Sequence, residues 1–260
     1  HGVTEPLRAM QMPLAMGFIT DSGEVGTQLE GESEPVLGTR ILDVTQLSEV
    51  FTFINVHTKP TLSVLRGFSA PVKLVMDYTD DELLLLVQHD TDTFARWNAA
   101  QMLFVRIILR WHADQATASD QHLLSDEALG VFSSLLESTS EDPQLLSMLF
   151  DLPKEAYLQE CLPVADIDGI HALRSHLKQI LATSLADIWL KVYQHSCDLG
   201  DYVYDQQAMA KRSLKNLALS YLVCTKNEAS IALAKDQYTG SNNMTDTMGA
   251  LSALNQIDHD

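Results

Sequence analysis

The chain has 260 residues, 46% of them hydrophobic and 20% charged, a composition that fits a folded globular protein and excludes a disordered or collagen-like one. Its formal net charge of −18 is scattered along the chain rather than gathered in a tail, which works against nucleic acid and anionic membrane as partners. The strongly apolar run Leu83 to Val87 is far shorter than the roughly 18 residues that span a bilayer, and no basic-then-apolar leader opens the chain, so a soluble protein is expected.

Taken in order, the first stretch is rich in turn residues and short alternating runs, the pattern of antiparallel strands. Strands are predicted over Met12 to Ile19, Ile41 to Thr45, Val50 to Ile54, Thr61 to Leu65 and Val72 to Met76. Asp21-Ser22-Gly23 reads as a hairpin turn, followed by a loop from Gly26 to Gly38. Pro60 and Pro71 fall where a strand begins or lies at an edge, since a missing N–H is tolerated there.

After Thr79 the texture changes. Thr79-Asp80-Asp81-Glu82 is a capping box, in which the Thr hydroxyl serves the N–H of Glu82 and the Glu reaches back. Phe94, Trp97, Ala100, Gln101, Phe104, Ile107, Ile108 and Trp111 then share one helical face. Ile170, Leu173, Leu177, Leu181, Leu185, Ile188 and Val192 are read as a third continuous face, and Leu214, Leu217, Ala218, Tyr221 and Leu222 as a fourth. Shorter helices are predicted over Ser125 to Glu137, Asp142 to Phe150, Asn227 to Tyr238 and Met244 to Gln256, the last with Asn243 as N-cap and Asp246 near the positive end of the dipole. Such helices stack as a solenoid or irregular bundle, without the strict period of a regular repeat array.

The chemistry-bearing residues form no motif. A zincin needs two His one turn apart with a Glu between them, and no HExxH occurs; His171 and His176 are five residues apart and diverge around a helix. His195, Cys197, Asp198 and Asp201 are read as loop residues with a buried thiol, and the run Asp198 to Asp201 lacks the alternating acids of a calcium loop. Cys161, Cys197 and Cys224, odd in number and set in apolar patterns, are expected to be buried, reduced thiols of a cytoplasmic protein. Lys211, Arg212 and Lys215 are read as a solvated helix face, and Asn243-Met244-Thr245 as a helix cap in spite of its glycosylation sequon. GxSxG, Walker A and dinucleotide motifs are absent too. No catalytic, metal-binding or cofactor-binding residue is assigned.

A resemblance adds what the residues alone do not. Leu65-Arg66-Gly67-Phe68-Ser69-Ala70-Pro71-Val72-Lys73-Leu74 resembles the junction between two domains of the M1 zinc aminopeptidases of the bacterial aminopeptidase N type. Collinear strings follow at Phe94-Ala95-Arg96-Trp97 with Ala99-Ala100-Gln101, at Ala210-Lys211-Arg212-Ser213-Leu214 with Asn216, and at Asn242-Asn243-Met244-Thr245-Asp246 with Ala250-Leu251-Ser252-Ala253-Leu254. The resemblance implies a small immunoglobulin-like antiparallel β-sandwich over residues 1–79, short of its first strand because the chain starts at about the level of Pro6. The first part of an all-α superhelical domain would then fill 80–260. It implies a parent enzyme that removes N-terminal amino acids from peptides with zinc, its HExxH and GxMEN motifs lying outside this chain. The partners implied are the missing catalytic domain of the same polypeptide and peptide substrates. The start at His1-Gly2 and the end at Asp258-His259-Asp260 are read as cuts, with an uncovered apolar face on the last helices and an exposed sheet edge open to dimerisation. The competing reading is a stand-alone helical-repeat interaction module.

Overall fold

The computed structural model describes residues 10–114, 124–138, 140–197 and 200–257. The level of Pro6 and both chain ends therefore lie outside the described residues. The chain divides into two compact units, His1–Ala100 and Gln101–Asp260.

The first unit is built on β1 (Met12–Thr20), which pairs antiparallel with β2 (Gly23–Val25), β4 (Arg40–Val44) and β6 (Thr61–Val64). β3 (Gln28–Leu29) and β5 (Phe53–Ile54) form a second, two-stranded sheet. Side chains alternate along β1 with period two. Met16 and Phe18 join Leu42 in the sandwich core, with Leu14, Phe53 and Leu62 packed against them. On the opposite face lie Ala15, Gly17 and Ile19, the last fully buried. That second buried face exists because α1 (Asp80–His89) packs against β1 and β6. The hairpin turn at Asp21-Ser22 closes on Gly23, whose φ of 100° is one that a side chain would strain.

Four of the five predicted strands form, the one at Val50 to Ile54 reduced to Phe53–Ile54. Val72 to Met76 does not form a strand. Val72 and Val75 are exposed, so no alternating face is buried, and the preceding 3-10 turn Arg66–Phe68 has already carried the chain out of the sheet. Leu65, Gly67 and Phe68 all have positive φ there. Within the stretch read as loop, Gln28–Leu29 pairs as β3.

α2 (Thr93–Ala113) opens in the first unit and continues into the second. The second unit then holds α3 (Asp126–Glu137), α4 (Pro143–Leu149), α5 (Glu155–Glu160), α6 (Ile167–Ser184), α7 (Ala186–His195), α8 (Gln206–Cys224), α9 (Glu228–Gly240) and α10 (Met244–Leu254). Most helices are marked locally. Side chains of Ser125, Asp142, Asp166, Asp205, Asn227 and Asn243 each cap an N-terminus, as Thr79 does for α1. α5 escaped the sequence reading because its six residues bury only Leu158. The continuous face read from Ile170 to Val192 is broken at Leu185, with φ −115° and ψ 21°, so α6 and α7 are separate helices. The apolar spacing survives the break because Leu185 stays buried at the bend.

α8 is the axis of this unit, touching α4, α6, α7, α9 and α10. A line of buried rings crosses the core. Phe104 meets Phe132 at 5.5 Å, Phe132 meets Phe150 at 5.4 Å, Phe150 meets Trp189 at 5.2 Å, and Trp189 stacks on Tyr221 at 4.4 Å. The Tyr221 hydroxyl donates to the Phe150 carbonyl at 2.8 Å, closing the line with a satisfied polar end. On α10, Met244 and Met248 are exposed apolar side chains.

Candidate functional site

Among the described residues, chemistry-bearing side chains meet in a polar groove and in buried networks, one holding Arg40 by Thr27 and Glu32 and two larger ones around Arg66 and Lys215. In the first unit Arg66, 2% exposed, is held by its guanidinium. Its Nε donates to Ser63 Oγ at 2.8 Å, one terminal nitrogen to Asp90 Oδ1 at 2.7 Å, and the other to Glu24 and to Thr39 Oγ1. Gly17 makes room for it: a Cβ there would sit 2.4 Å from the guanidinium carbon. Asp90 is itself buried, and its second oxygen has no hydrogen-bond partner. Burial pushes the Asp90 carboxyl above its ordinary value even though Arg66 and its other hydrogen-bond donors pull it down. Asp92 joins by accepting from Gly67 N and Ala95 N, at 3.1 and 2.8 Å, so the turn after β6 and the start of α2 are tied together.

In the second unit Lys215 Nζ donates to Asp246 Oδ2 at 2.5 Å, with both side chains buried. Asp246 also accepts from Asn243 Nδ2 at 2.9 Å and Asn216 Nδ2 at 3.2 Å, and its backbone N–H donates to the Asn243 cap at 2.9 Å. Gln237 bridges Asn216 Oδ1 and the Asp246 carbonyl and accepts from the Tyr193 hydroxyl. Burial pushes the Tyr193 phenol up to about 12 and raises the neighbouring Cys197 thiol. The network locks α7, α8, α9 and α10 to one another.

Lys211 alone of the basic trio is exposed, which corrects the reading of all three as a solvated face. Arg212 is buried, donating to the Val203 carbonyl at 3.1 Å and lying 4.8 Å from the Tyr202 ring. Lys215 is buried by Asp246. No local pattern announces either one, because their acceptors lie in other segments. The cysteines also differ from expectation: Cys161 is exposed at the end of α5, and Cys197 and Cys224 are only partly buried at helix ends, where an apolar pattern runs out of partners. His195 bonds the Lys191 carbonyl through Nδ1 at 2.7 Å and Asp201 is exposed. Asp198 lies outside the described residues. His171 pairs with Glu155 at 2.9 Å, while His176 packs against Trp111. Asn243 caps α10 through Asp246 N.

Among the described residues no three His, Cys, Asp or Glu side chains converge as metal ligands do, and no helix is long and apolar enough to cross a membrane. Inside both larger networks the charges answer each other, and what they do chemically is fix helices and strands. An Ig-like strand domain followed by a helical domain, with its buried charges spent on architecture, defines the class of protein.

The family comparisons agree with that class. Residues 4–77 match the DUF3458 domain of unknown function with an Ig-like fold, and residues 80–260 match its companion, DUF3458_C, described as ARM repeats. The chain is 38% identical to the aminopeptidase N of Haemophilus influenzae over 82% of its length and 24% of that protein. It is 31% identical to the Escherichia coli aminopeptidase N over 94% of its length and 28% of that protein. A crystal structure of Legionella pneumophila aminopeptidase A in complex with aspartic acid superposes with a TM-score of 0.80 at 27% identity, covering 96% of this chain and 29% of that one. The chain belongs to the DUF3458 family, as a section of the M1 aminopeptidases, and spans about a quarter of the length of the curated relatives it matches.

Proposed function

We propose that this chain is the non-catalytic scaffold of a zinc-dependent aminopeptidase that removes N-terminal amino acids from peptides in the cytoplasm. Residues 1–79 serve as a spacer sandwich, and residues 80–260 form part of a helical wall that restricts access to the active site. The observation that carries this reading is the collinear match over 94% of the chain to 28% of an aminopeptidase N. The catalytic domain of the same polypeptide is the principal partner, and peptides are the substrates of the whole enzyme. Nucleic acid and membrane are not partners, in keeping with the net charge of −18.

Zinc belongs to that catalytic domain. The described residues of this chain do not fit it, since no cluster of three candidate ligands is present among them. No residue of the chain is proposed as catalytic. The test is direct: the purified chain retains no stoichiometric zinc after dialysis and releases no chromophore from an aminoacyl anilide, and its coding sequence upstream contains HExxH. Turnover with bound zinc, or a reading frame without that motif, overturns the reading. An exposed sheet edge in the isolated chain also leads to self-association. A monomeric light-scattering profile at high concentration counts against that part.

A further inference from the structure

A groove of about 900 Å³ runs along α6 and α8 and ends at Gln256, beyond α10. Ligand sites occupy roughly 300–1,000 Å³. In a chain with 35 acidic and 17 basic residues, the groove inverts the balance. Arg174, Lys178 and Lys226 line it against Asp151 and Glu155, and Glu155 is already engaged by His171.

The cations are held in place without being neutralised by their anchors. Arg174 donates from Nε to the Pro153 carbonyl at 2.7 Å and from Nη2 to the Leu152 carbonyl at 3.3 Å, which aims its planar fork. Lys178 Nζ donates to Gln256 Oε1 at 2.6 Å and lies 5.6 Å from the centre of the Tyr221 ring. All of these acceptors are uncharged. His176 also lines the groove, and its Nε2 is buried with no hydrogen-bond partner. Burial holds the Lys178 ammonium below its ordinary value and the like charge of Arg174 adds to this, while Cys224 and the groove carboxylate Asp151 pull the other way. A partly desolvated cation of this kind attracts an anion more strongly than one in water does.

We propose that this groove binds a small molecule through a carboxylate or phosphate group, with Arg174 and Lys178 as its principal partners and Lys226 at its rim. Charge-assisted hydrogen bonds from a guanidinium and an ammonium suit either oxyanion.

Isothermal titration calorimetry of the 260-residue chain with inorganic phosphate and with succinate, at matched ionic strength, tests the proposal. Saturable binding of at least one is expected. Phosphate alone, succinate alone, or both then say which oxyanion the groove accepts. Lys178→Gln should weaken binding about tenfold or more and the exposed Lys226→Gln about two- to fivefold, while the charge-matched control Lys59→Gln, in the other unit, leaves it unchanged. Lys226→Gln keeps the test decisive if Lys178→Gln fails to fold. The proposal is overturned if neither anion binds saturably, if the groove variants bind as the parent does, or if Lys59→Gln weakens binding equally.

Discussion

Arg66 in the first unit and Lys215 in the second each carry a buried positive charge, yet the acceptors around them are arranged in opposite ways. Arg66 is a fork with acceptors on every side, while its buried partner Asp90 has one oxygen left over. In the second unit the carboxylate is the hub: Asp246 receives Lys215, Asn216 and Asn243 at once. A buried carboxylate with full hydrogen bonding has no cheap response to losing its cation, whereas one already biased toward the neutral form can take up a proton. The two networks should therefore fail differently.

The largest effect is expected at the hub. Lys215→Ala strands Asp246 and should destabilise the second unit by about 3–5 kcal/mol, seen as lost hydrogen-exchange protection in α8 and α10 with the amides of β1 unaffected. Equal loss of protection in β1 would break the contrast. Arg66→Met should cost about 2–3 kcal/mol at neutral pH, with protection lost in β1 and α1. The folded-state pKa of Asp90 lies above 3.8, so its favourable contribution is complete below that value and is lost as pH rises through the folded value. Removing Arg66 moves that value further up, and the cost of Arg66→Met should shrink when urea unfolding is repeated at about pH 5. A cost that is constant with pH would show that Asp90 does not buffer the loss.

The smallest effect tests the boundary where α1 begins. Thr79→Ala removes half of the capping box and should cost about 1 kcal/mol in the first unit. Glu82 is held below its ordinary 4.5, first by the backbone N–H of Thr79 and also by Lys59. Its contribution is complete above pH 4.5 and is lost as pH falls through the lower folded value. The urea midpoint of the parent should therefore fall below pH 4.5, and less steeply in Glu82→Gln.

Features made by neighbours in the chain could be read before the structure. The Thr79 to Glu82 box, the Asn243 cap and the 3.6-residue stripe of α2 each depend on a few adjacent positions, and each forms as expected. Features made across the chain could not. Nothing near Arg212 or Lys215 says that Val203 and Asp246 will meet them, and nothing in the spacing of Leu185 distinguishes a bend from a turn of helix. The apolar strand pattern at Val72 to Met76 is equally silent about whether a sheet edge is within reach. Even so, the strings that carry the family resemblance contain Arg66, Arg212, Asn216, Asn243 and Asp246. What is recognisable in them is part of the buried polar framework.

The line of rings in the second unit has an optical consequence. Trp189 is fully buried and its ring lies within 3° of parallel to Tyr221. Two aromatic chromophores fixed face to face in a chiral core give a near-ultraviolet circular dichroism band that vanishes when packing loosens, even where helical content persists. The second unit thus carries an intrinsic spectroscopic signal for core order, which Trp189→Phe would separate from the contributions of the other aromatic residues.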